Sequence, residues 1–113
     1  MKLPHYEAAV VVEAKIVHYL LNESHTKGKS KAKFFRAFGF VPEQWEVCAR
    51  ALIRHAADHD VATEIDTELA IQYTIEGTLI TPDTRNPFIR SVWAIDHGDE
   101  FPHFVTAYPV DED

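Results

Sequence analysis

Two hydrophobic periods divide the chain. Up to His59 the apolar residues recur at helical spacing, and beyond it they alternate. In 13–21, Ile16, Val17, Leu20 and Leu21 fall on one face of a helix. A second, short helix is expected over 30–38, with Ser30 as a possible N-cap and Gly39 as its stop. The third opens on Pro42 and Glu43, residues suited to the first turn. Trp45, Cys48, Ala49, Leu52, Ile53 and Ala56 then follow the i, i+3, i+4, i+7, i+8, i+11 template. From 61 to 69, Val61, Thr63, Ile65, Thr67 and Leu69 alternate with Ala62, Glu64, Asp66 and Glu68, which predicts a strand with one wet face. Ile71, Tyr73 and Ile75 continue the alternation. Phe88 to Asp96 is apolar on both faces, as in a central strand, and Phe104 to Tyr108 makes a last strand. Turn residues fill 81–87 and 97–100. The pattern predicts an α+β fold, with three N-terminal helices packed on one face of a four-stranded antiparallel meander, and residues 1–113 as a single domain.

With 46% of 113 residues apolar, the chain has the material for a core without covalent staples. The single cysteine, Cys48, cannot form an internal disulfide and lies on the apolar stripe of the third helix, where it reads as a packing residue. There is no apolar leader at the start and no run of ~18 apolar residues, so a cytoplasmic protein without a membrane span is expected. The formal charge of -7 argues against a protein that coats nucleic acid non-specifically. The distribution changes that picture locally. Lys27, Lys29, Lys31, Lys33 and Arg36 crowd into ten positions, while acids gather at Asp96, Asp99, Glu100 and Asp111-Glu112-Asp113.

The chemistry the sequence permits is narrow. Four scattered glycines cannot build a phosphate loop, and no cofactor is expected. His55 and His59 stand four apart with Asp58 between them, a metal-like spacing. A zinc hydrolase would need a third ligand, and histidines suit a helix C-terminus in any case, so no metal is assigned. The segment from Asn22 to Phe35 says more: a cationic loop runs directly into a helix N-terminus, which already favours an anion. Lys31 falls in the first helical turn, where its charge opposes the dipole, as expected of a residue kept for function. Arg90 interrupts an apolar strand, on the face of Phe88, Val92 and Ala94 and opposite Ile89, Trp93 and Ile95. With the Trp93 face given to the helices, Arg90 lies on the open face. There it must pair with an acid such as Glu64, Asp66 or Glu76, or hold an anion. Thr106, between Phe104 and Tyr108 at two-residue spacing, can share that face one strand away.

Lys2-Leu3-Pro4, then His25-x-x-Gly28-Lys29-x-Lys31-Ala32-Lys33-x-Phe35 with Gly39-Phe40, Arg90-Ser91-x-Trp93 and Thr106-Ala107-Tyr108-Pro109 resemble an uncharacterised bacterial domain family. Its members occur alone and at the C-termini of polymorphic toxins. The family is similar in layout to the barnase/EndoU/RelE-like (BECR) toxin ribonucleases. That resemblance implies a metal-independent ribonuclease with catalytic groups among Lys31, Arg90, Thr106 and His25, and substrate contacts from Lys29, Lys33, Ser91 and Tyr108. Arg90 and Lys31 would hold the scissile phosphate, and His25 or another base would take the ribose 2′-hydroxyl proton to give a cyclic phosphate. Thr106 would position an oxygen by hydrogen bonding. Many relatives carry His where this chain has Ser30, so one candidate base is missing. The partners to expect are RNA, through the local basic patch, or a cognate antitoxin or toxin protein. The competing reading is a non-catalytic antitoxin- or immunity-like module whose acidic surface engages a basic protein.

Overall fold

The computed structural model of the chain describes residues 1–26 and 29–111, so Lys27 and Gly28 of the basic loop and Glu112 and Asp113 of the tail lie outside the described residues. The helical half comes first. A 3₁₀ turn at Tyr6–Ala8 leads to α1 (Glu13–Lys15), which widens at once into a π turn over Ile16–Leu20. The Leu21 N–H closes that turn on the Ile16 carbonyl at 2.8 Å. Ile16, Leu20 and Leu21 are buried, while Val17, expected on the same face, is only half-buried. Helix α2 (Lys29–Ala37) starts one residue earlier than expected, which puts Ser30 inside the helix and not at its cap. Gly39 ends that region at a φ of 106°, a left-handed conformation that glycine adopts without strain. Pro42–Gln44 forms a 3₁₀ turn that feeds α3 (Trp45–Asp58). Cys48, Ala49, Leu52 and Ala56 of α3 are buried, and so is His55, which the apolar template did not include.

Four strands follow in a meander, β1 (Val61–Asp66), β2 (Ala70–Thr78), β3 (Phe88–Asp96) and β4 (His103–Pro109), all antiparallel in the order β1-β2-β3-β4. The fold is therefore α+β, with the helices ahead of the sheet in the chain. Partners in register share a face, so Tyr73 with Trp93, Ile75 with Ser91 and Ser91 with Ala107 define the core face. Trp93 is fully buried there against Phe104, edge to face, with ring centroids 5.5 Å apart. Helix α3 covers β2 and β3, while α1 and α2 meet β4.

Strand β1 departs from expectation. A register shift between Val61 and Thr63 rotates the rest of the strand, so Ile65 pairs with Gln72 on the face opposite Tyr73 and is 55% exposed. A bulge also interrupts β4, between its pairings to Val92 and Trp93. Outside β4, Val10 bridges His103 in parallel, which brings the chain entering α1 along the sheet edge. Among the described residues, no helix is long and apolar enough to cross a membrane.

Candidate functional site

The strand register places a row of polar side chains on the face opposite Trp93. Arg90 of β3 lies directly between Glu76 of β2 and Tyr108 of β4. Its Nε donates to Glu76 Oε2 at 2.7 Å, Nη2 donates to the same oxygen, and Nη1 donates to the Tyr108 hydroxyl at 3.2 Å. Of the three acids that could have paired with Arg90, the structure selects the one in register. About a third of each side chain stays open to solvent, 34% for Arg90 and 32% for Glu76. The hydrogen bonds to Tyr108 and Glu76 hold the guanidinium firmly charged.

The row continues across the sheet edge into the helices. The Tyr108 ring has Arg90 Cζ 5.5 Å from its centroid and Lys31 Nζ 5.8 Å from it, so two cations flank one aromatic ring. Lys31 Nζ donates to the Tyr19 hydroxyl at 2.7 Å, and that hydroxyl is 2.9 Å from Thr106 Oγ1. Thr106 pairs with Val92 and so shares the face of Arg90. Lys15 closes the edge, its Nζ reaching the Val105 carbonyl at 3.4 Å and lying 5.7 Å from the Tyr19 centroid. His25 meets the Tyr19 ring edge to face, with centroids 5.0 Å apart. Burial pushes the Tyr19 phenol up. The Lys31 and Thr106 hydrogen bonds, with the charges of Lys31 and Lys15, outweigh it and hold the phenol below the ordinary tyrosine range.

Five of the eight candidate residues thus meet in one row: Lys31, Arg90, Thr106 and Tyr108, with His25 at the Tyr19 end. The other three are placed elsewhere. Lys29 and Lys33 are exposed, and side chains two apart on a helix do not face one way, so both diverge from Lys31. Ser91 is fully buried on the core face, where it meets His55 and Trp93. That corrects its expected place beside the substrate, because adjacent strand residues point to opposite faces. Sequence reasoning missed Tyr19 as a member of the row. Its signal was slight, a tyrosine flanking the apolar stripe just before the cationic loop, and the π turn that aims it left no trace in the spacing.

The two histidines of α3 have other duties. His55 contacts Ser91 Oγ with Nδ1 at 2.9 Å and the Gly77 carbonyl with Nε2 at 3.0 Å, so both ring nitrogens are taken. His59 Nε2 meets the Thr78 carbonyl at 2.9 Å. Among the described residues, no three His, Cys, Asp or Glu side chains cluster as metal ligands would. Burial pushes the Cys48 thiol up to about 12, which leaves it inert as a nucleophile. An apolar cavity of about 320 Å³, lined by Phe40, Val47, Ala51, Ile80 and Pro82 among others, shares no residue with the polar row.

A solved structure described as a contact-dependent growth inhibition toxin–immunity protein complex from Klebsiella pneumoniae 342 contains a chain similar to this one. The TM-score is 0.67 at 16% identity, over 89% of this chain and 99% of that chain, a likeness of fold. No curated protein matches the sequence. A family model described as a domain of unknown function, DUF6883, matches residues 2–111, and the chain belongs to that family.

Proposed function

We propose that the protein is a metal-independent ribonuclease of the bacterial toxin type, which cleaves RNA by 2′-hydroxyl attack to leave a cyclic phosphate. One observation carries this reading: Lys31 and Arg90 flank the Tyr108 ring on an open sheet face of a chain whose formal charge is -7. Two cations beside a half-buried ring suit a nucleotide, the ring for base stacking and the cations for a phosphate. Arg90 and Lys31 hold the scissile phosphate and stabilise the charge that develops on it. Glu76, its carboxylate oriented by two guanidinium N–H groups, takes the 2′-hydroxyl proton. His25, the base suggested by the sequence, stands instead at the Tyr19 end of the row. The fold likeness to a chain of a toxin–immunity complex agrees with a toxin-related module.

The second reading, an immunity- or antitoxin-like binding module, draws on the net charge and on the pairing of Arg90 with Glu76. Incubation of purified protein with total RNA in EDTA, beside a folded Arg90→Ala variant, separates the two. The ribonuclease cleaves as wild type alone and leaves cyclic-phosphate ends. A wild-type protein that leaves the RNA intact belongs to the binding-module class.

A further inference from the structure

The π turn over Ile16–Leu20 holds the phenol of the polar row. It ends with the Leu21 N–H on the Ile16 carbonyl and carries Tyr19 to the outer edge of β4, where its hydroxyl sits between Lys31 Nζ and Thr106 Oγ1. Such wide turns are concentrated at functional sites. A phenol placed only for packing needs one hydrogen-bond partner. This one has an ammonium donor at 2.7 Å and a hydroxyl at 2.9 Å, with a second cation, Lys15, over its ring. That environment favours a phenolate over a phenol, and the lowered titration of Tyr19 agrees with it.

We infer that Tyr19 is the general acid of the cleavage, donating its hydroxyl proton to the leaving 5′-oxygen. The inference rests on the ribonuclease reading above. Displacement at phosphorus puts the attacking and leaving oxygens on opposite sides, so base and acid must stand at opposite ends of the phosphate site. Glu76 and Tyr19 do stand at opposite ends of the row, with Arg90, Tyr108 and Lys31 between them. As the O2′–P bond forms and the P–O5′ bond breaks, the 2′-hydroxyl proton passes to Glu76 and the Tyr19 Oη proton to O5′. The products are a 2′,3′-cyclic phosphate and a free 5′-hydroxyl, and exchange with water restores both groups. Lys31 and Thr106 receive the phenolate left behind. Thr106 is thus a positioning residue, acting through Tyr19.

The test compares two substrates that differ in their need for an acid. An RNA oligonucleotide loses an alkoxide, which must be protonated, whereas a nucleoside 3′-(4-nitrophenyl phosphate) loses a stable anion that needs no proton. Tyr19→Phe is expected to lower oligonucleotide cleavage by roughly 10²–10⁴-fold and nitrophenyl ester cleavage by no more than a few-fold. Thr106→Val should show the same substrate split with a smaller loss, and it keeps the inference testable if the phenylalanine variant fails to fold. Equal losses on both substrates, or no loss on either, overturn the acid role while leaving the ribonuclease reading in place. Wild-type protein inert on both substrates overturns the ribonuclease reading and this inference together, before any variant is made.

Discussion

Ser91 of β3 donates its hydroxyl proton to Nδ1 of His55 in α3. The assignment follows from the other ring nitrogen: a carbonyl can only accept, so His55 Nε2 must carry the proton it gives to Gly77, and Nδ1 is left as acceptor. Trp93 Nε1–H in turn donates to Ser91 Oγ at 2.9 Å. The result is a fully satisfied buried chain, Trp93 to Ser91 to His55 to Gly77, that fastens α3 to two strands. It works only with His55 neutral, and burial, opposed by the Gly77 hydrogen bond, holds its pKa down at about 4 from an ordinary 6.5.

That depression makes stability pH-dependent. Below pH 6.5 the unfolded chain protonates His55 and the folded chain does not, so the unfolded state binds more protons and stability falls as pH falls. The loss begins near pH 6.5 and is complete near pH 4. It amounts to about 2 kcal/mol by pH 5 and about 3 kcal/mol in full. His97, raised by the Thr67 carbonyl and by Asp66, acts with the opposite sign but is solvent-exposed. Asp83, lowered by its contacts to Arg85 and Thr81 against desolvation, loses its contribution only below its ordinary 3.8, outside this window. Denaturant midpoints at pH 7 and pH 5 check the effect, and equal midpoints would mean that His55 titrates normally.

The same chain predicts two mutational costs of different origin. Ser91→Ala strands the Trp93 N–H and His55 Nδ1 in the core, an expected loss of about 1–3 kcal/mol from unmet hydrogen bonds. Trp93→Ala empties the space of the largest fully buried side chain, at about 3–5 kcal/mol. Equilibrium unfolding measures both. A thermal melt of the Trp93 variant close to wild type would remove it from the core.

Gly77 is a strand residue whose reason lies in another element. A Cβ there would come within 2.4–2.5 Å of the His59 ring, so Gly77→Ala must turn that ring and break its contact to the Thr78 carbonyl. The expected cost is about 1–3 kcal/mol. Restoration of most of it in a Gly77→Ala, His59→Ala double variant would identify the clash as the cause.

These cases show what could be read from the chain. The amphipathic period placed α3 well, and a run apolar on both faces placed β3, because burial of Leu52, Ala56, Ile89 and Trp93 is itself the cause of the pattern. Alternation alone put Arg90 on the face opposite Trp93, since strand residues can point only two ways. What alternation could not supply was register. The shift after Val61 turned Ile65 outward, and the choice of Glu76 among three acids awaited the pairing of β2 with β3. Ser91 was misplaced for a related reason: it adjoins Arg90 in sequence, and adjacency in a strand means the opposite face. Tyr19 depended on a π turn, which no spacing announces.

Lys31 supplies the sharpest separation of fold from function. It is the third residue of α2, where its positive charge opposes the helix dipole, and its Nζ contacts lie in the polar row and not in the core. Lys31→Ala should therefore change stability by no more than about 0.5 kcal/mol. The Tyr19 phenol loses its first stabilising partner, so its titration should move up toward the ordinary range. If the protein is the ribonuclease proposed above, cleavage of RNA should fall by roughly 10²–10³-fold, the usual effect of removing one donor to developing charge. Thermal melting, ultraviolet titration of the tyrosines and the RNA assay read the three separately. A variant that fails to fold would make Lys31 structural. A folded variant with unchanged tyrosine titration would mean that the Lys31–Tyr19 contact does not form in solution, and the row would lose its centre.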